Sequence, residues 1–409
     1  MKIGNCLIAQ SGGPTAAINA TLAGVYSAAK KQFAIGRIYG GMNGIEGIMK
    51  GNIIDLSSVL DKDDNLKLLK TTPSSFLGSC RYKLKGGSEG QSEFKKLFKV
   101  FEENNIKYFF YIGGNDSMDT ILQLEEYQVA NGGDVTFVGV PKTIDNDLCC
   151  IDHTPGFGSA AKYIATTVKE IAADTAVYDM DSIVVVEVMG RNAGWLALSA
   201  ALALDSNGRC MADLIYLPEN VFDYDKFIED VKKVQQTKRQ IVVVVSEGIK
   251  LADGSLISEA KTKDSFGHGQ LGGAAKHVEA VIQERIGVKV RSVEINVLQR
   301  CAGHLLSARD INESFMLGEK AVEVASEGKS GVMVTTERAK DGFYSITMGA
   351  TDIRLIANKE KTVPEDYMNE AKNAATQKAL DYLMPLIQGE IAPVMQNGIP
   401  KHLLLRDYI

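Results

Sequence analysis

Six short runs rich in apolar residues, each broken by a turn carrying glycine or proline, constrain the fold of this chain most. They are Ile3–Ala9, Phe33–Tyr39, Tyr108–Ile112, Val135–Val140, Ile183–Val188 and Ile241–Val245. Most are apolar at consecutive rather than alternate positions, so both faces of such a strand need cover. Segments with helical spacing fill the intervals: one reaching about Lys31, then Ser159–Val177, Phe222–Val234 and Gly272–Arg285. Buried strands alternating with helices predict an α/β, doubly wound architecture with enough strands for two sheets. Ligands of such sheets bind outside the carboxyl ends of the strands. Glycine, 39 of 409 residues, gathers in the turns at those ends, so the turns are where function is to be sought.

At roughly 100–200 residues per domain, 409 residues correspond to two domains or one large α/β unit. Lys+Arg 45 against Asp+Glu 51 leaves a net charge of −6, a poor match to nucleic acid. An anionic small substrate must therefore be met by locally placed cations. No segment approaches the ~18–20 apolar residues of a membrane span; the longest, Trp195–Leu204, is short and contains Ser199. The six cysteines form no C-x-x-C pair, so neither a disulfide framework nor a zinc site is indicated. A reduced, cytoplasmic protein is expected. From about Val363 the chain is expected to be more helical and polar, punctuated by Pro385, Pro393 and Pro400, with no site motif.

Ser11-Gly12-Gly13-Pro14 follows the first run. Two glycines let the backbone approach an anion closely, and the next helix offers free N–H groups. A tight turn without a ligand is the plain alternative. Gly113-Gly114-Asn115-Asp116-Ser117 repeats the pattern with a carboxylate added, for which the plain alternative is a helix N-cap. Pro141-Lys142-Thr143-Ile144-Asp145-Asn146-Asp147 is the richest segment. In an extended turn Thr143, Asp145 and Asp147 share one face, because side chains alternate with period two. Two carboxylates so close raise one another's proton affinity, and such a group can accept a proton from a hydroxyl. Val188-Met189-Gly190-Arg191, Ser246-Glu247-Gly248, Arg291 and Leu298-Gln299-Arg300 stand at or near later strand ends; taken singly, each reads as structural. The five histidines form no ligand-like set.

Taken together and in order, S-G-G (11–13), F-L-G-S-x-R (76–81), G-G-N-D-S (113–117), P-K-T-I-D-N-D (141–147), V-E-V-M-G-R (186–191), S-E-G (246–248) and L-Q-R (298–300) resemble the phosphofructokinase family. The resemblance spans roughly residues 3–300 and is nearest the branch that uses pyrophosphate. ATP-using members usually carry glycine where Asp116 and Lys142 stand. A carboxylate at Asp116 would oppose a nucleotide's α-phosphate; like charges ~4 Å apart cost ~4 kcal/mol at an effective dielectric near 20.

The resemblance implies two doubly wound Rossmann-like α/β domains with mainly parallel sheets and a cleft between them. Residues 1–157 plus 300–350 would form a pyrophosphate domain, and 158–299 plus 351–409 a sugar-phosphate domain. The implied reaction transfers phosphoryl from pyrophosphate to the 1-hydroxyl of fructose 6-phosphate, with Mg²⁺ as cofactor. Asp145 would be the base, with Lys142, Asp116 and Arg191 the other catalytic residues. Gly12, Gly13, Arg81 and Lys142 would hold pyrophosphate. Thr143, Asp145, Asp147, Met189, Gly190, Arg191, Glu247, Arg291 and Arg300 would hold the sugar phosphate, and Asn115 the metal. A homodimer or homotetramer is implied, binding neither nucleic acid nor membrane.

Three departures stand against this pattern. Asn115 replaces a frequent metal-binding Asp, bringing an oxygen without charge. Ser182 and Val297 stand where relatives place an Arg and a His or Tyr near the 6-phosphate. No Arg lies between Asn19 and Gly24, where allosteric bacterial relatives carry one, so nucleotide allostery is not expected. The rival readings are an ATP-dependent enzyme of the same fold and a catalytically silent sugar-phosphate- or nucleotide-binding protein.

Overall fold

The computed structural model describes residues 2–62, 64–85, 87–257, 259–263, 269–340 and 342–408. In chain order the strands are β1 (Gly4–Gln10), β2 (Ile35–Gly41), β3 (Ile53–Asp55), β4 (Ile106–Gly113), β5 (Thr136–Pro141), β6 (Ser182–Val188) and β7 (Leu214–Tyr216). There follow β8 (Gln240–Ser246), β9 (Glu259–Lys263), β10 (Gly269–Leu271), β11 (Lys289–Glu294), β12 (Leu306–Ser307), β13 (Val332–Arg338) and β14 (Ile346–Asp352). A 7-stranded sheet runs β14-β13-β5-β4-β1-β2-β3, and a 4-stranded sheet β11-β6-β8-β7. The smaller sheet is parallel throughout. The larger is parallel except at its two edges, where β3 and β14 run antiparallel to their neighbours. The expected class, two mainly parallel α/β sheets, is what the chain adopts.

Alternation within each run explains the double cover. Tyr108, Phe110 and Ile112 of β4 enter one buried cluster, while Phe109 and Tyr111 enter another on the opposite face. In β8, Val242 and Val244 face the helix Phe157–Thr175, and Ile241, Val243 and Val245 face Tyr224–Gln235 and Ala274–Arg285. A strand apolar at every position thus feeds two cores at once.

The helices begin where their caps dictate. Tyr224–Gln235 starts two residues later than the apolar pattern predicts, because Asp223 accepts a hydrogen bond from the Lys226 N–H at 2.9 Å. The helix Ala308–Ser326, capped by Ser307, packs against Ile18–Lys30 at a glycine-to-glycine crossing. A Cβ on Gly24 would stand 2.0 Å from the Phe315 carbonyl oxygen, and one on Gly318 would stand 2.3 Å from that of Thr21. The C-terminal part differs from expectation. Beyond 360 it holds one short α-helix, Gln377–Leu383, among 3₁₀ turns and two-residue strands. Among the described residues no helix is long and apolar enough to cross a membrane.

Candidate active site

The carboxyl ends of β1, β4, β5 and β6 open into one cavity of about 640 Å³. After β1, Gly12 takes a left-handed φ of +75°. The turn is tied to the segment carrying Arg81: the Gly12 N–H donates to the Cys80 carbonyl at 3.1 Å, and Ser79 Oγ donates to the Gly12 carbonyl at 2.6 Å. The glycines also leave room for cations. A Cβ on Gly12 would stand 3.3 Å from Lys142 Nζ, and one on Gly13 would stand 3.2 Å from Arg300 Nη1. Lys142 is buried and donates to the Gly13 carbonyl at 2.6 Å. Burial lowers its pKa to about 8, against the pull of Asp145 and Asp147. That ammonium is held, before any ligand, against the turn best suited to an anion.

After β5 the expected alternation is not what the chain adopts: Lys142, Thr143, Ile144, Asp145 and Asp147 all line the cavity, and only Asn146, at a left-handed φ of +53°, is fully buried behind them. Thr143 Oγ1 accepts from the Asp145 N–H at 3.1 Å, which keeps the turn tight. Burial raises the pKa of both carboxyls; the charge of Glu247 adds to it at Asp145, and that of Asp145 at Asp147. Asp147 Oδ1 is buried without a hydrogen-bond partner. A carboxylate so placed invites a cation or a donor group.

After β4, the N-cap of the helix Asn115–Asn131 is Gly114, with no side-chain cap. The capping alternative for Asp116 and Ser117 is thereby removed. Asp116 lies in the first helical turn, in the same wall as Lys142 and Asp145. Asn115 is differently employed from expectation. Its Oδ1 accepts from the Asn358 N–H at 2.6 Å and its Nδ2 donates to the Lys359 carbonyl at 2.6 Å. The amide clamps residues 358–359, which answers for it as fully as metal ligation would.

Met189, Arg191 and Arg300 line the wall; Gly190, Glu247 and Arg291 do not. Glu247 Oε1 accepts from the Gly190 N–H at 3.3 Å, so these two lie just behind Arg191. Burial raises the Glu247 pKa. Arg291 is exposed on β11, an edge strand, and does not enter the cavity of its own chain. Arg300 stands beside Gly13, and its charge is felt at Asp145 and Lys142 alike. Missed from sequence are Lys83, Asn192, Asn358 and Glu360. Asn192 follows Arg191 directly and Lys83 lies two residues beyond Arg81, which was signal enough; Asn358 and Glu360 belong to no motif. Asn192 Nδ2 donates to Glu360 Oε1 at 3.0 Å.

His153, assigned no role from sequence, is buried between two carboxylates. Its Nδ1 meets Asp152 at 2.8 Å and its Nε2 meets Glu313 at 2.7 Å. Burial pulls its pKa down, but the two carboxylates more than offset this and leave it raised.

A sequence profile described as Phosphofructokinase matches residues 5–325. The chain belongs to the phosphofructokinase family. This family member is 40% identical over 400 residues to the pyrophosphate–fructose 6-phosphate 1-phosphotransferase of Halomonas elongata, covering 97% of this chain and 95% of that one. With the enzyme of the same name from Methylococcus capsulatus it shares 40% identity over 408 residues, 99% of this chain and 96% of the relative. Its fold is similar to the crystal structure of a pyrophosphate-dependent phosphofructokinase from Nitrosospira multiformis. There the TM-score is 0.89 at 38% identity, with 98% of this chain and 96% of the other covered.

Proposed function

We infer that the chain transfers a phosphoryl group from pyrophosphate to the 1-hydroxyl of D-fructose 6-phosphate, giving fructose 1,6-bisphosphate and phosphate in a reversible step. The carrying observation is the place of Asp116, a carboxylate in the cavity wall it shares with Lys142 and Asp145. Negative charge there opposes the longer anionic tail of a nucleotide, while the buried Lys142 serves a donor that has no adenosine to anchor it. The names of the relatives agree with this choice of donor.

In this reading Asp145, whose proton affinity burial has raised, takes the proton of the 1-hydroxyl. The hydroxyl oxygen bonds to phosphorus in line with the breaking P–O bond, and phosphate leaves with the electron pair. Lys142 and Arg191 offset charge on the transferring group, and the Gly12–Gly13 backbone and Arg81 hold the departing phosphate. Thr143, Met189 and Arg300 meet the sugar phosphate, with Gly190 and Glu247 shaping that side from behind Arg191. The half built on the larger sheet, 1–157 with 300–350, serves the donor; 158–299 with 351–409 serves the sugar. Mg²⁺ suits the wall, since this ion binds through one or two carboxylates together with substrate phosphates. Asp116 and the unpartnered oxygen of Asp147 would hold it, in place of Asn115. When bound it supplies positive charge to the phosphoryl oxygens.

A coupled assay of the purified protein with pyrophosphate or ATP tests the donor. We expect turnover with pyrophosphate and at least about tenfold less with ATP, a difference of about 1.4 kcal/mol in transition-state energy. Asp116→Gly is expected to gain ATP use. Turnover of the unaltered protein with ATP alone would refute the assignment.

A further inference from the structure

Asn146 lies between the two carboxylates of the reacting turn and is fully buried. Its φ of +53° is left-handed, a conformation asparagine tolerates better than most residues. Two of its three side-chain partners come from beyond residue 325, outside the matched family region. Asn146 Oδ1 accepts from Lys361 Nζ at 3.2 Å and from the Thr154 N–H at 3.1 Å, while its Nδ2 donates to Tyr382 Oη at 2.9 Å.

Lys361 surrounds the same turn. Its ammonium also donates to the Ile151 and Asp152 carbonyls at 3.1 and 2.8 Å, so all three N–H bonds are used. It sits 5.3 Å from the centre of the Trp195 ring. The Lys361 main-chain N–H donates to the Asp147 carbonyl at 2.7 Å, and Trp195 Nε1 donates to the Lys361 carbonyl at 3.0 Å. Leu148 and Glu360 form an antiparallel bridge beside it. Apart from Trp195, every one of these contacts falls on residues 146–152. Enclosing an ammonium is unfavourable unless its partners repay the lost hydration. Here the partners are the turn that carries both carboxylates.

We propose that Lys361, with Tyr382, is a positioning residue for the phosphoryl transfer, holding the Asn146 turn so that Asp145 and Asp147 face the cavity. This rests on the function proposed above. The titratable groups around Lys361 are Asp152, Asp147, Cys149 and Arg338. Those around the carboxylate pair are Glu247, Lys142, Arg300 and Glu360.

The test compares the full-length protein with its Lys361→Met, Lys361→Arg and Tyr382→Phe variants. It measures kcat, both KM values and the thermal midpoint. Lys361→Met is expected to lower kcat about 10–100-fold and to leave both KM values within about threefold. Lys361→Arg keeps the hydrogen-bond donors and is expected to restore part of kcat. Tyr382→Phe is expected to lower kcat about 3–10-fold, again with little change in KM. A folded Lys361→Met with wild-type kcat, or with lower kcat that Lys361→Arg does not restore in any part, overturns the proposal. Should that variant not fold, wild-type kcat in Tyr382→Phe overturns it instead. Absence of pyrophosphate-dependent turnover in the unaltered protein defeats the functional reading and this inference together, whereas an active protein indifferent to both substitutions defeats this inference alone.

Discussion

Asp145 is a base in a place that disfavours its charge. Burial and the nearby Glu247 raise its pKa, and the attraction of Lys142 and Arg300 does not bring it back to the ordinary value. The linkage has a definite sign. A carboxyl whose folded pKa lies above its unfolded one contributes stability below the unfolded pKa, and loses it as pH rises through the folded pKa. At pH 8 the charged Asp145 therefore strains the fold that presents it. Asp145→Asn is expected to lower kcat about 10²–10⁴-fold. The same variant is expected to gain stability on the order of 1–3 kcal/mol at pH 8, with the gain vanishing near pH 3–4. Urea unfolding at both pH values checks this. A variant less stable than the parent at pH 8 would mean that the attraction of Lys142, and not burial, governs the site.

The contact between Ile18–Lys30 and Ala308–Ser326 shows the same competition of magnitudes among whole elements. In an open helix, Gly→Ala stabilises by up to about 1 kcal/mol. At Gly24 the new Cβ would lie 2.0 Å from a backbone oxygen, which has no rotamer by which to escape. Overpacking of that kind costs about 1–3 kcal/mol, occasionally more. Gly24→Ala is thus expected to destabilise the fold by about 2 kcal/mol net, read as a lower urea midpoint. A raised midpoint would show that the helices yield easily. This contact also marks what the sequence disclosed and what it concealed. Runs such as Ile241–Val245 announced buried parallel strands, because their pattern is local and physical. The glycine pair at 11–13 and the carboxylates at 141–147 were legible as strand-end turns, and both segments line one cavity. The helix Ala308–Ser326, the β13–β14 hairpin and the irregular chain beyond 360 were not announced. Their residues are chosen by partners far away in sequence. Asn358 and Glu360 are held at the cavity by residues more than a hundred positions earlier: Asn115 and Asp119 bond Asn358, and Asn192 bonds Glu360.

The whole molecule poses the question of Arg291. The family resemblance implies that it meets the sugar phosphate, yet it is exposed on β11, at the edge of the smaller sheet, outside the cavity of its own chain. Both statements hold if chains associate so that the β11 edge of one copy meets the cavity of another. Each site would then need Asp145 from one chain and Arg291 from its neighbour. Subunit mixing decides between this arrangement and an Arg291 without function. Asp145→Asn and Arg291→Ala are each expected to be poorly active, the second through a KM for fructose 6-phosphate raised at least about tenfold, the equivalent of about 1.4 kcal/mol. Co-refolded in equal amounts as dimers, half the assemblies are mixed, and each mixed dimer holds one site with both native residues. Activity should then recover to about a quarter of the parent value, as the symmetry of a two-site dimer requires. If the mixture stays as inactive as its components, the site is complete within one chain. Arg291→Ala with an unchanged KM would remove Arg291 from substrate binding in any assembly.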